Sequence, residues 1–139
     1  MSETYIPAPL RRLVEQRAGY RCEYCLLLAY VSTIPHEVDH VIAEKHGGMT
    51  TTDNLAFACW RCNRRKGTDL GSFDPQTGKF SFLFNLRTQV WSEHFVMLPD
   101  FSLSGITPEG RTTVSLLQLN GQRRIAERKR VQEGLKMRR

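Results

Sequence analysis

The sequence predicts a small α+β fold: a ββα unit preceded by one short helix and followed by mixed strands and a basic helix. Three observations carry that expectation. The 139 residues suit one compact domain with an appended tail. The only four cysteines fall in two CxxC pairs, Cys22/Cys25 and Cys59/Cys62, that bracket a 33-residue gap. Inside and just beyond that gap, two strand-like stretches, "HEVDHVIA" and "NLAFAC", run into "WRCNRRKG", which reads as a short helix.

Taken in order, "PLRRLVEQRA" (9–18) reads as a helix, with Pro9 in its first turn, Leu10, Leu13 and Val14 on one face, and Gly19 past its end. "LLLAYV" reads as core. "HEVDHVIA" (36–43) is a strand, "KHGGMTTTD" a glycine-bearing turn, and "NLAFAC" the returning strand. The helix that follows is capped by Gly67. Farther on, "DPQTG" is a turn, "KFSFLF" alternates like a strand, and "NLRTQVWSEHFVML" fits helix or strand. "ITPEGRTTVSLLQLNG" begins as a helix with Thr107 at the N-cap and Pro108 at the first position, and ends at Asn120-Gly121. The expected organisation is an N-terminal helix and arm (1–19), a ββα core (20–70), an accessory region packed on it (71–121) and a basic tail helix (122–139).

Charge points to an anionic partner. The formal charge is +6 with a pI near 9.5. Eight of the 20 Lys/Arg and two of the 14 Asp/Glu lie in residues 122–139, so the other 121 residues carry twelve of each and balance. The surplus belongs to the tail, which is either a solvated helix or a nucleic-acid contact. No apolar run approaches the ~20 residues that span a membrane, and "MSETYIPAPLRRL" lacks the apolar stretch of a secretory signal. A cytoplasmic location, with reduced thiols, is the expectation.

Reduced thiols make the cysteine spacing informative. Two residues between thiolates let a tight turn aim both sulfurs at one point, and two such turns complete a tetrahedron for Zn²⁺ at ~2.3 Å. Ordinary buried thiols or two redox pairs are the alternatives. Two pairs with no cysteine left over favour structural zinc, which would stabilise a unit with little core of its own.

The stretch "VDHVIAEKHGGMTTTDNLAFACWRCNRRKG" closely resembles the HNH endonuclease family, whose pattern D-H-I…G-G…D-N-L…C-x-x-C-N…K appears here in order. The resemblance covers residues 20–67 and implies a ββα-metal (His-Me finger) fold that hydrolyses phosphodiester bonds, leaving a 5′-phosphate and a 3′-hydroxyl. It assigns His40 as general base, Asn54 as the brace of the ββ loop that orients the base, and Asp39 and Asn63 as ligands of one catalytic metal. Asn63 stands where other members have His, which favours Mg²⁺ or Mn²⁺. Without the zinc frame, Asp39 and His40 would read better as a structural pair, while for Asn54 a plain turn residue after Asp53 is the alternative reading.

Around these positions, Arg61, Arg64, Arg65 and Lys66 on the metal helix are expected to contact phosphate. Glu37 shares the strand face of Asp39 and is expected in a salt bridge. His36 and His46 are expected in structural or surface roles, His94 at the core edge, and Trp60 and Trp91 as packing anchors. The expected partner is DNA, with RNA as the alternative substrate, no membrane, and a homodimer if one active site per chain is to cut both strands. A competing reading from another class is a non-catalytic zinc module that binds nucleic acid through its tail.

Overall fold

The computed structural model describes residues 5–137, with side chains through Gly134. The chain folds as two compact units: residues 1–69 with 85–88, and residues 70–84 with 89–139.

The first unit opens with helix α1 (Ala8–Arg17), whose fully buried Val14 packs with Ile6, Leu55 and Phe57. Gly19 and Tyr20 take left-handed φ values of 64° and 58°, turning the chain out of the helix. Strands β1 (Glu37–His40) and β2 (Leu55–Ala58) pair antiparallel, with Asp39 opposite Ala56 and His40 opposite Leu55. Arg17 locks the helix onto this hairpin through the carbonyls of Thr52 (2.9 Å) and Leu55 (2.7 Å). Glu23 holds the outer edge of β2, its backbone N–H donating to Phe57 O and its carboxylate accepting from Phe57 N–H at 2.8 Å. Arg87 pairs with the same carboxylate. Helix α2 (Trp60–Lys66) then packs on β1, giving the expected β–β–α order.

Two expectations change here. Strand β1 is four residues long rather than eight, because beyond His40 the side chain of Asn54 replaces a strand partner. It accepts from Ile42 N–H (2.9 Å) and donates to Ile42 O (3.0 Å). "LLLAYV" is only partly core: Leu27 is buried, but Tyr30 is 78% exposed because Ala29–Val31 forms a single 3-10 turn.

The second unit holds two short hairpins, β3 (Gly71–Phe73) with β4 (Phe80–Phe82) and β5 (Phe95–Met97) with β6 (Leu103–Gly105). Helix α3 (Pro108–Leu116) packs on them, its N-cap Thr107 accepting from Gly110 N–H at 3.0 Å. Gly110 permits that packing, since a Cβ there would lie 2.1 Å from His94 O. The ambiguous stretch 85–98 resolves into turns, a 3-10 turn at Trp91–Glu93 and strand β5. The helix ends at Leu116, short of Asn120-Gly121, and Asn120 instead brackets the backbone of Leu103, accepting at 2.7 Å and donating at 2.8 Å.

Polarity on the β3–β4 hairpin is inverted. Ser81 is buried, whereas Phe73, Phe80 and Phe82 share the other face and are exposed.

Helix α4 (Gln122–Met137) is basic as expected, but its buried stripe is Arg124, Arg128 and Val131. Arg124 donates to Leu117 O (2.7 Å), and Arg128 to Phe101 O (2.7 Å) and Leu119 O (2.8 Å). These cations fasten the helix inside its unit. Arg123, Lys129 and Arg130 are exposed, and Arg138 and Arg139 lie outside the described residues. Among the described residues, no helix is long and apolar enough to cross a membrane.

Asp74 is buried in the β3–β4 turn and accepts from Arg111 through both oxygens, Nε donating to Oδ1 at 3.0 Å and to Oδ2 at 3.3 Å and Nη2 to Oδ2 at 2.8 Å. That pairing, first among its causes, holds the carboxyl at about 2 against an ordinary 3.8. A depressed folded-state pKa contributes stability above pH 4 that is lost as pH falls towards 2. Acid unfolding followed by circular dichroism should therefore show an Asp74-dependent loss between about pH 4 and 2 that Asp74→Asn lacks. The variant should also melt roughly 5 °C lower, or more, at neutral pH.

Candidate active site

Four sulfurs meet where the two CxxC turns converge. Cys22, Cys25, Cys59 and Cys62 are all buried, with ligand atoms within 4.8 Å of one another. In each turn the second cysteine's N–H points at the first one's Sγ, at 3.4 Å in both pairs. Cys25 Sγ and Cys59 Sγ are 3.7 Å apart, close to the ~3.8 Å edge of a tetrahedron with 2.3 Å zinc–sulfur bonds. Burial pushes the Cys22 and Cys62 thiols up, while hydrogen bonding from Cys22 holds Cys25 and Cys59 down. A divalent cation in place of the shared protons resolves that conflict, so the donor set fits zinc.

Cys59 is also the N-cap of α2, so the cluster fixes where that helix begins. One turn on, Asn63 reaches across to β1, its Nδ2 donating to Glu37 Oε2 at 2.9 Å. Glu37 thus meets an amide rather than the expected cation. Glu37 and Asp39 sit two apart on the strand and share a face. Asn63 and Lys66 sit three apart on the helix and share a face. Lys66 is buried, which lowers its pKa, while Asp39 and Asp69 oppose that shift.

Among the described residues, Asp39 accepts one hydrogen bond, at Oδ1 from the His40 amide (2.8 Å), leaving Oδ2 open. Asn63 Oδ1 likewise accepts none.

His40 closes β1 and is buried. Its Nδ1 is buried without a hydrogen-bond partner, 3.5 Å from Asp39 Oδ1. Its Nε2 lies 2.8 Å from Thr50 Oγ1 and 3.8 Å from Glu44 Oε1. Asn54 stands behind this loop, its two bonds to Ile42 joined by a third, Nδ2 to Met49 O at 2.9 Å. Gly48 is required there, because a Cβ would lie 1.7 Å from Ile42 O.

The four helix cations divide. Arg64 and Arg65 are exposed, Arg61 is half-buried, and buried Lys66 stands apart from them. The guanidinium groups of Arg61 and Arg64 lie 5.3 and 5.6 Å from the ring centre of Trp60, within cation–π range. The remaining histidines bond elsewhere: His36 Nε2 with Leu27 O (2.9 Å), His46 Nε2 with Thr68 O (3.2 Å), and buried His94 Nδ1 with Thr107 Oγ1 (2.6 Å).

Sequence reasoning missed Thr50 and Glu44. The run "MTTTD" gives no sign of which threonine meets His40, and Glu44 reads as an ordinary turn residue.

Residues 22–69, about a third of the chain, match the family model described as HNH endonuclease. This segment is an HNH endonuclease domain. No curated protein and no solved structure matches the chain. The family carries a nuclease function on nucleic acid at that coarse level, and the HNH domain here contains the four-cysteine cluster.

Replacing one sulfur should release the metal and loosen the HNH domain. Cys59→Ser is expected to hold far less zinc than wild type, measured by atomic absorption, and to melt roughly 10 °C lower or more. Wild-type zinc content and melting in that variant would overturn the structural-zinc reading.

Proposed function

We propose that this protein is a metal-dependent endonuclease that hydrolyses phosphodiester bonds in DNA, with His40 as general base. The observation that carries the reading is the buried His40 ring, whose Nδ1 has no hydrogen-bond partner, next to Asp39 on the strand against which α2 packs. An unpaired buried ring nitrogen is costly to keep, and a basic one can take a proton from water near neutral pH.

Asp39 and Asn63 would hold the catalytic cation. Asp39 Oδ2 and Asn63 Oδ1 are hard oxygen donors without hydrogen bonds among the described residues, a set that fits Mg²⁺ or Mn²⁺ completed by water and phosphate. When bound, the ion supplies charge neutralisation at the phosphorus centre and the departing oxygen. The chain's own groups do the rest. His40 accepts the proton of the attacking water, Asn63 is oriented by Glu37, and exposed Arg64 and Arg65 approach backbone phosphates without reading sequence.

A second reading, a zinc module that binds nucleic acid without cutting it, draws on Lys66, whose charge neighbours Asp39 and would compete with a metal ion.

Plasmid nicking in Mg²⁺ or Mn²⁺ separates the two. Wild type should nick, while His40→Ala and Asn63→Ala should lose about 100-fold or more in rate with zinc content unchanged. Equal nicking by wild type and His40→Ala removes the catalytic assignment, and labelled RNA beside DNA tests the substrate. Binding should also respond to charge: Arg64→Gln with Arg65→Gln is expected to reduce the log-affinity against log-salt slope by roughly 2, read by fluorescence anisotropy on DNA.

A further inference from the structure

The β3–β4 hairpin turns its aromatic face to water. Opposite residues on paired strands share a face, so the register Gly71↔Phe82 and Phe73↔Phe80 puts three phenyl rings and one glycine on the same side. The rings are 58% to 65% exposed, while Ser81 on the reverse face is buried. Strand period alone does not require this, because the opposite facing would bury the rings and leave the serine in water.

The rings are held in place. Phe80 lies against Gly71, where a Cβ would come 2.5 Å from its Cζ. Phe73 and Phe82 each meet Phe80 edge to face, with centroids 6.2 and 5.7 Å apart and planes at 85° and 78°. Such contacts order the rings while covering less of their flat faces than parallel stacking does.

We propose that Phe73, Phe80 and Phe82 form a stacking platform for the unpaired bases of single-stranded DNA. The proposal rests on the nucleic-acid reading above and adds to it a preference for unpaired strand.

Charge, size and chemistry choose that occupant. Asp74, the one carboxylate in residues 70–84, is buried and paired with Arg111, so it puts no free negative charge on this face. The one cation in that stretch, Lys79, is exposed next to Phe80. A phosphate backbone can therefore approach, whereas a cationic guest would be repelled by Lys79 in a chain of net charge +6. The three rings together expose roughly 400 Å², at 150–250 Å² for a whole aromatic side chain. That is about half of the ~800 Å² that each partner buries in a stable protein–protein interface, too little for a second copy of the chain. Every base has a flat π face, so such rings take any base without reading its hydrogen bonds. In a duplex those faces are covered by neighbouring pairs, so the platform selects unpaired strand.

The test titrates labelled oligo-thymidine of about 15 nucleotides, and a blunt duplex of similar length, with the full-length, zinc-loaded protein. Binding is read by fluorescence anisotropy without added Mg²⁺, so that no strand is cut. Phe73→Leu with Phe82→Leu should weaken single-strand binding about 10-fold or more and leave duplex binding within about twofold. The log-affinity against log-salt slope should stay unchanged, since no phosphate contact is lost. Phe73→Trp with Phe82→Trp should keep wild-type single-strand affinity, because tryptophan offers a π face and leucine does not. Both variants should melt as wild type does, since the rings are exposed.

Single-strand binding unchanged by the leucine pair, or a loss shared equally by the duplex, overturns the proposal. So does a dimer, detected by analytical ultracentrifugation, that Phe73→Ser with Phe82→Ser abolishes, because a second copy then covers the face. A wild-type protein that binds neither DNA overturns the nucleic-acid reading itself, whereas duplex binding beside an unresponsive platform removes only the platform.

Discussion

The sulfur of Cys59 belongs to the four-thiol cluster and also accepts the N–H of Cys62 at the first turn of α2. One atom thereby sets both the position and the start of a seven-residue helix, which is too short to hold its shape unaided. Everything α2 presents to β1 inherits that placement: Asn63 over Glu37, and Lys66 near Asp39. At the other end, the first CxxC turn continues into Glu23, which holds the edge of β2 at Phe57. Both strands and the helix of the HNH domain are tied, directly or one residue removed, to the same metal-sized space.

A hairpin this short would leave its connecting loop loose, and the loop carries part of the candidate chemistry. Asn54 supplies the missing order by lending its side-chain amide to Ile42 and Met49 as a strand neighbour would. The resulting chain of contacts runs from Asn54 through Met49 and Thr50 to the His40 ring. A neutral side chain thus shapes the surroundings of a titrating one without touching it.

Much of this was legible in the residues. The two CxxC pairs, the order strand–strand–helix, the Thr107 cap with Pro108 after it, and the final basic helix all rest on local rules of spacing and capping, and all are present. What local rules missed has a common cause. Asn54 and Asn120 each bond a backbone 12 or 17 residues away, Asn54 just past the end of β1 and Asn120 at the start of β6, and nothing near them in sequence marks those partners. The same holds at the candidate site, where the chemistry-bearing types at 39, 40, 54 and 63 could be read from the motif but the position-50 hydroxyl could not. The tail misled in another way, since counting cations does not reveal which face of a helix they occupy.

Arg124 and Arg128 point their guanidinium groups at backbone carbonyls inside the second unit. Such ion–dipole contacts, shielded from bulk electrolyte, respond weakly to added salt. The exposed Arg123, Lys129 and Arg130 are bathed in counterions and respond strongly. Raising ionic strength therefore screens the outer surface of the terminal helix while its buried guanidinium contacts, and with them its seating in the second unit, stay in place.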